Sequence, residues 1–237
     1  MAIEVFNRRE LKYLLSNEDK DALLSIIDQY MTSDPFNKGR QTYKICNLYL
    51  DSSSDELIIK SLEKPVFKEK IRLRSYGRVN LTDTVYLESK KKFEGLVNKR
   101  RTPLSLEDAY KYFNEGIYPQ NSNINQQVFR EIDYMMKLYK LQPKVFISYD
   151  RLAFFEKNNS DFRLTIDTNI QTRQNDLGLE LPISGTQLLS PGTYLMEAKA
   201  FKAFPLWFVK FLSSRKLYNT SFSKYGAEYQ LYKNEEA

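Results

Sequence analysis

Positively charged side chains alternate with other residues along positions 68–77, which read K-E-K-I-R-L-R-S-Y-G. Successive side chains of a β-strand point to opposite faces, so a strand here would gather its cations on one face. That face would carry Lys68, Lys70, Arg72 and Arg74, and the other Glu69, Ile71 and Leu73. Two interpretations follow: an edge strand whose cations are solvated, or one wall of a site that grips a polyanion.

Four further strand-like segments place charges at every second position. The residues are Arg8, Glu10 and Lys12; Glu88, Lys90 and Lys92; Lys99 and Arg101; and Glu197 and Lys199. A closed antiparallel barrel explains the repetition, because alternate residues of each strand face its interior. Seven or eight predicted strands, interrupted by helices, indicate one α+β domain over residues 1–237. We therefore predict a barrel with a charged interior and helices packed outside it.

Composition excludes several kinds of active site. The chain of 237 residues has no histidine, which removes His-based acid–base catalysis, His metal ligands and His-activated nucleophiles. The single cysteine, Cys46, cannot form an intrachain disulfide and fits a cytoplasmic setting. We expect no signal peptide, since the N-terminus lacks an apolar segment, and no membrane span, since no apolar run approaches ~20 residues. The net charge of +6 could serve nucleic acid, a membrane surface or an anionic small molecule.

On the predicted strands, a glutamate precedes a lysine by two residues at Glu10, Glu88 and Glu197. These glutamates could form cross-strand ion pairs. Alternatively, they could coordinate Mg²⁺ or Mn²⁺ while the neighbouring lysines hold phosphate, because Mg²⁺ is usually bound by one or two carboxylates plus substrate phosphates. Few carboxylates beside many cations favour a site shared by metal and phosphate over a site for metal alone.

Arginine and lysine residues recur on the predicted strands, among them Arg72, Arg74, Lys90, Lys99, Arg101, Arg151, Arg163 and Lys199. Packing unpaired charges inside a barrel would be prohibitive, and a water-filled tunnel occupied by a polyphosphate chain removes that cost. Arg151 is the most informative of them because it lies in the apolar stretch S-Y-D-R-L-A-F-F. Its alternative is a buried ion pair with Asp150 or Asp167.

Two further segments bear on ligands and on the helices. In S-F-S-K-Y-G, residues 221–226, Lys224 could bind an anion at the start of a helix, or it could be an exposed lysine beside an N-cap. Residues 103–116 have helical spacing from Pro103 onward. Nucleic acid is a natural rival partner for a basic chain rich in aromatics. However, the Tyr and Phe residues mostly fall on faces opposite the cations, so we expect them to form core and expect no nucleic-acid partner.

Several short motifs, in their order along the chain, resemble the VTC domain, the polyphosphate polymerase domain of the vacuolar transporter chaperone complex and its bacterial relatives. They are F-N-R-R-E-L-K-Y-L-L, K-I-R-L-R-S-Y-G, Y-L-E-S-K-K-K with V-N-K-R-R, Y-D-R-L-A-F-F with F-R-L-T-I-D, L-M-E-A-K, and S-K-Y. The resemblance implies the triphosphate tunnel fold, an eight-stranded antiparallel β-tunnel shared with CYTH phosphatases. It also implies ATP and inorganic polyphosphate as substrates and Mn²⁺ or Mg²⁺ as cofactor.

The resemblance also implies roles for individual residues. Catalysis is assigned to Arg72, Arg74, Lys90 and Glu197, and the metal chiefly to Glu197, with Glu10 and Glu88 as further acidic residues. Substrate binding is assigned to Lys12, Lys99, Arg101, Arg151, Lys199 and Lys224, to which Arg163 is added from its place on a strand.

One departure distinguishes the chain from CYTH hydrolases, which begin with E-x-E-x-K. Here Arg8 replaces the first glutamate, ahead of Glu10 and Lys12. Losing a carboxylate removes support for a second metal and an activated water, which favours transfer to phosphate over hydrolysis. A triphosphate or polyphosphate hydrolase and a non-catalytic polyphosphate- or nucleotide-binding module stay as alternatives. No segment resembles an SPX or membrane module, so a membrane partner is left open.

Overall fold

The alternating segments form the strands of one long antiparallel sheet in the computed structural model. The structure describes residues 5–6, 9–37, 41–94, 96–120, 123–157, 161–201 and 203–235, so Arg8 lies outside the described residues. The eleven strands of this part of the chain are β1 Val5–Phe6, β2 Arg9–Leu15, β3 Met31–Ser33, β4 Tyr43–Asp51, β5 Phe67–Tyr76, β6 Thr84–Phe93, β7 Leu96–Ser105, β8 Gln142–Glu156, β9 Arg163–Arg173, β10 Thr186–Gln187 and β11 Tyr194–Ala200.

Helices connect these strands, and side-chain caps mark where three of them begin. The helices are α1 Asn17–Tyr30, α2 Glu56–Leu62, α3 Leu106–Glu115, α4 Gln126–Leu138, α5 Leu206–Ser214 and α6 Lys224–Glu235. Ser16 and Asp19 form a capping box at α1, and the side chains of Ser105 and Asn125 accept backbone N–H groups at α3 and α4. No helix within the described ranges is long and apolar enough to cross a bilayer.

The sheet is not closed as a barrel by backbone pairing. Its strands follow the order β1-β7-β6-β5-β4-β8-β9-β11-β2, with β10 beside β9 and β3 beside β8. The two ends of this path, β1 and β2, are consecutive in the chain, and side chains meet across the gap: Lys90 Nζ of β6 lies 3.4 Å from Glu10 Oε2 of β2. The prediction of an antiparallel β fold with helices outside is confirmed, whereas the closed eight-stranded ladder is replaced by this longer, open path.

Two of the three apolar clusters lie outside the curved sheet, between its outer face and the helices. Ile71 and Leu73 of β5 are fully buried there against residues of α3 and α4 such as Ala109 and Val128. A second cluster joins β2, β8, β9 and β11 to α1 and α5, with Phe208 at its centre. Because one face of each strand packs outward in this way, the other face, which holds the charges, is turned inward. The third cluster lies on the face that holds the charges, where Ile45 and Tyr149 pack with Tyr225 of α6.

The helix predicted to begin at Pro103 starts three residues later. Pro103 belongs to β7, where it lies opposite Tyr86 of β6, and α3 begins at Leu106. On its other side, β7 pairs only with the two residues of β1, opposite Val97 and Asn98, in the described part of the chain. Proline has no backbone N–H to donate, and a strand tolerates this at such an edge position. Strand pairing, rather than the local helical spacing, therefore determines the conformation of Pro103.

Candidate functional site: a cation-rich tunnel

The inward faces of the strands enclose a cavity of about 2460 Å³. Strands β2, β4 to β9 and β11 line it, together with the segment that runs from Thr220 into α6. The described lining includes fifteen Lys or Arg side chains and only five Asp or Glu side chains. This volume exceeds the ~300–1,000 Å³ of ordinary small-molecule sites, and the excess of positive charge suits an extended polyanion.

The cavity brings together every site residue predicted from the sequence. These are Glu10, Lys12, Arg72, Arg74, Glu88, Lys90, Lys99, Arg101, Arg151, Arg163, Glu197, Lys199 and Lys224. Their positions agree with the alternation of charges along the strands, whereas their chemical roles stay predictions. They divide into three ion-pair groups and two ends of differing character.

Glu88 is the centre of the first group. Arg72 donates from Nε to Glu88 Oε2 at 2.9 Å, Lys99 Nζ lies 2.7 Å from Oε1, and Arg74 Nε lies 3.8 Å from Oε2. Burial would raise the pKa of Glu88, but the three cations lower it far below its ordinary value. Burial also lowers the pKa of Lys99 to about 7, which Glu88 only partly offsets. Glu88 therefore acts as an ionised anchor that holds three cations in the cavity.

Glu10 and Glu197 form the second group and share their lysines. Lys199 Nζ lies 2.9 Å from Glu197 and 3.6 Å from Glu10, and Lys12 Nζ lies within 3.9 Å of both carboxylates. Burial would raise the pKa of Glu10, but Lys199 and Lys90 bring it down to about 2. The pKa of Glu197 is likewise held well below its usual range, against burial, by Lys199 and Lys224. Two ionised carboxylates thus lie close together on adjacent strands.

Asp167 anchors the third group and is completely buried. Arg151 donates to it through Nε at 2.6 Å and Nη2 at 2.7 Å, and Lys224 Nζ lies 2.6 Å away. Of the two partners considered for Arg151, the structure has Asp167; Asp150 instead lies 2.7 Å from Lys44. Lys224 is buried rather than exposed, and it also lies 3.4 Å from Glu197, which links this group to the second.

The two ends of the cavity differ in chemistry. At one end Arg163 pairs with Asp34 at 3.2 Å, and Arg101 lies over the ring of Tyr86 at 4.6 Å. The other end is rich in lysine, with Lys64, Lys68, Lys70 and Lys92. Within the described part of the chain, no carboxylate lies within 4.0 Å of Lys70, whose Nζ donates to Ser223 Oγ at 3.0 Å. Burial, with Lys12 and Lys90 nearby, lowers the pKa of Lys70 to about 8.

The carboxylates fit a metal only in company with phosphate. The described residues contain no cluster of three metal-ligating side chains. Glu10 and Glu197 offer two ionised carboxylates beside open volume, and Mg²⁺ or Mn²⁺ commonly completes such a pair with substrate phosphates. Glu88 is less accessible to a metal, because its side chain is 1% exposed, whereas those of Glu10 and Glu197 are 18% and 9% exposed.

The sequence reasoning missed the neutral groups that orient the arginines. Asn47 accepts from Arg74 at 2.9 Å, Tyr149 accepts from Arg74 at 3.2 Å, and Tyr49 accepts from Arg72 at 3.0 Å.

Five tyrosines line the cavity on the same side as the cations: Tyr43, Tyr49, Tyr76, Tyr86 and Tyr149. The expectation that aromatics face away from the cations is therefore wrong for these residues. Tyr76 falls two residues after Arg74, so alternation along the strand alone predicts that it lies on the same face as the cations. Because that expectation was the ground for excluding nucleic acid, the exclusion stays a prediction.

Asp167→Asn should destabilise the fold strongly, because it removes the nearest countercharge of the buried cations Arg151 and Lys224. We expect a loss of about 3–5 kcal/mol in the free energy of unfolding, measured by urea denaturation. Asp150→Asn is the matched control on the neighbouring strand, where the more exposed pair with Lys44 should contribute less than about 1 kcal/mol. Equal effects of the two substitutions would contradict the anchoring role of Asp167.

Binding of tripolyphosphate should be coupled to protonation of Lys99. The pKa of this lysine is about 7 in the free protein, and a bound anion raises it, so binding above pH 7 takes up a proton and weakens as pH rises. Calorimetry at pH 8 in buffers of different ionisation enthalpy should show uptake that falls by up to about one proton in Lys99→Arg. Lys91→Arg, on the opposite face of β6, should leave the uptake unchanged. Identical uptake by wild type and Lys99→Arg would refute the coupling.

Comparison with known proteins agrees with this architecture. The family model of the VTC domain matches residues 7–233. The vacuolar transporter chaperone complex subunit 4 of Trypanosoma cruzi is 23% identical over 213 residues, covering 74% of this chain. The chain spans only 27% of the length of that curated relative. A crystal structure of a "putative adenylate cyclase" from Bacillus halodurans has a TM-score of 0.55 and 14% identity, covering 93% of this chain and 96% of that one.

These comparisons bear on the fold and on the family separately. At 14% identity, the likeness to the Bacillus halodurans structure concerns the fold alone, and it supports the predicted fold class. The family match extends over nearly the whole chain, including every strand that contributes a charge to the cavity. The resemblance drawn from the short motifs is therefore confirmed, and this chain belongs to the VTC domain family.

Proposed function

We propose that this protein is a metal-dependent polyphosphate polymerase that transfers the γ-phosphoryl group of ATP to a polyphosphate chain held in the cavity. The observation that carries the proposal is the lining itself, whose described residues include fifteen Lys or Arg side chains and five Asp or Glu side chains. Membership of the VTC domain family supports a polyphosphate-related function. A cytoplasmic location is part of the same proposal.

Positioning of the phosphates falls to cations repeated along the strands. Arg72 and Arg74 of β5 project to the same side, roughly 6.5–7 Å apart along the strand, so they can contact neighbouring phosphates. Their planar guanidinium groups present paired donors to phosphate oxygens. Lys70 and Lys68 continue the row towards the lysine-rich end. In this proposal the growing chain occupies that end.

Glu10 and Glu197 would hold the divalent cation together with the phosphates. A bound Mg²⁺ or Mn²⁺ supplies neutralisation of the charge that develops on the transferring phosphoryl group. Lys199 and Lys12, which contact both carboxylates in the structure, would be the cations nearest to phosphate oxygens at such a site.

The transfer step requires no general base from the protein. A terminal oxygen of the polyphosphate attacks the γ-phosphorus of ATP, the bond from that phosphorus to the bridging oxygen breaks, and ADP leaves with the bond's electrons. The attacking oxygen is already ionised at neutral pH, which suits a chain without histidine. Catalysis then rests on in-line alignment and charge stabilisation by Arg72, Arg74 and Lys90.

The proposed reaction is tested by sizing its products. Purified protein is incubated with ATP, Mn²⁺ and a short polyphosphate primer, and the products are resolved by gel electrophoresis. Long polyphosphate with one ADP released per added phosphate supports a polymerase. Free phosphate alone would indicate a hydrolase, and binding without turnover under any divalent metal would indicate a binding module; either result contradicts the proposal.

Glu197→Gln should reduce kcat by about 100-fold or more, because it keeps the shape of the side chain and removes the charge proposed to hold the metal. The measurement is the initial rate of polymer synthesis at saturating Mn²⁺, with circular dichroism to establish that the variant folds. Glu94→Gln, which alters an exposed acid at the rim of the cavity, is the matched control and should retain the wild-type rate. A wild-type rate in Glu197→Gln would remove this glutamate from the mechanism.

A further inference from the structure

Aromatic rings gather at the end of the cavity opposite the lysines. We call Phe36, Tyr43, Tyr76 and Tyr86 the aromatic cup. The ring centroids of Phe36, Tyr43 and Tyr76 lie 6.2–6.4 Å from one another, and Tyr86 lies 6.0 Å from Tyr76. All four rings line the cavity. Phe36 is nevertheless 76% exposed and Tyr76 50% exposed, so large apolar faces are left open to a ligand.

The most exposed ring, that of Phe36, is held on a well-anchored turn. Asp34 accepts the backbone N–H of Phe36 at 3.0 Å and donates its own N–H to the carbonyl of Ala153 at 2.8 Å. The buried side chain of Asn37 donates to the carbonyl of Arg151 at 3.0 Å and accepts from Ala153 at 2.8 Å. Fixing an exposed phenylalanine in this way has no packing benefit, but it lowers the ordering cost of stacking a planar ligand on the ring.

The order of groups along the sheet matches the order of groups in a nucleoside triphosphate. On β5 the same face presents Tyr76, then Arg74, Arg72 and Lys70 at every second residue. On β6 the corresponding face includes Tyr86, which lies opposite Arg74, and continues towards the lysine-rich end. A planar base at the rings would thus have its phosphates directed at the arginines.

We propose that the aromatic cup binds the nucleobase of the donor nucleotide by stacking, with the triphosphate running along β5 from Arg74 towards Lys70. The proposal rests on the proposed function, because it assigns an orientation and a base site to the nucleotide of that reaction. It places the donor at the aromatic end and the growing polyphosphate at the lysine-rich end. Transfer would occur between them, beside Glu88 and Glu197.

The test compares ATP with inorganic tripolyphosphate, which has the three phosphates but no base. Both affinities are measured by calorimetry in EDTA, so that no metal-dependent turnover occurs. Wild type should bind ATP more tightly by about 5- to 150-fold, the range that one aromatic–base stack supplies. Phe36→Ala and Tyr76→Ala should each lose most of this preference while tripolyphosphate affinity is unchanged. Phe36→Leu keeps an apolar side chain of similar size and should also lose the preference.

Tyr134→Ala is the control, because Tyr134 is 64% exposed on α4 and does not line the cavity. It should bind both ligands as wild type does. Equal affinity of wild type for the two ligands, or an equal loss of both in the ring variants, would overturn the base site and leave the polyphosphate proposal standing. If wild type binds neither ligand, the proposed function and the base site fall together.

Discussion

Burying cations inside a folded chain is costly unless each gains a countercharge, and this constraint shapes the whole molecule. Three carboxylates supply this countercharge: Glu88, Asp167 and Glu197. Each of them contacts two or more Lys or Arg side chains. The described acids are nevertheless too few for the cations that line the cavity. The remaining cations must be stabilised by water or by an anionic ligand. The excess of positive charge therefore limits the stability of the free protein and also favours binding of an anion.

The fold tolerates this interior because most of its apolar core lies outside the sheet. Leu73 and Leu87 pack outward against the helices. Leu164 of β9 and Ala198 of β11 also pack outward, in the cluster that includes α1 and α5. The helices therefore supply the hydrophobic stabilisation that a filled barrel would obtain from its interior. The start of α6 also closes one wall of the site, because Lys224 reaches the buried Asp167.

Alternation along single strands was enough to predict which side chains face inward. The face of Arg72 and Arg74, and that of Glu197 and Lys199, follow from period-two geometry alone. That geometry does not fix which distant segments meet. Strand order and register determine that Arg151 pairs with Asp167 rather than with Asp150. They also place Pro103 at the edge position that tolerates proline within β7.

The role of the tyrosines was misjudged for a related reason. Aromatic residues are common in strands and usually pack as core, so composition alone favours assigning them to the outer face. Tyr76 shares the face of Arg74 by simple counting, yet Phe36 lies on a loop, where no periodicity applies. Its position depends on the contacts of Asp34 and Asn37 with β8, which the local sequence does not reveal.

The central claim is that the cations of the cavity bind a polyphosphate chain that follows their row along β5. A crystal structure of the protein with tripolyphosphate and Mn²⁺ tests it most directly. The account predicts phosphates inside the cavity within hydrogen-bond distance of Arg72 and Arg74, with the metal beside Glu10 and Glu197. Phosphates bound only to lysines on the outer surface, with the cavity ion pairs unchanged and no phosphate between them, would contradict it.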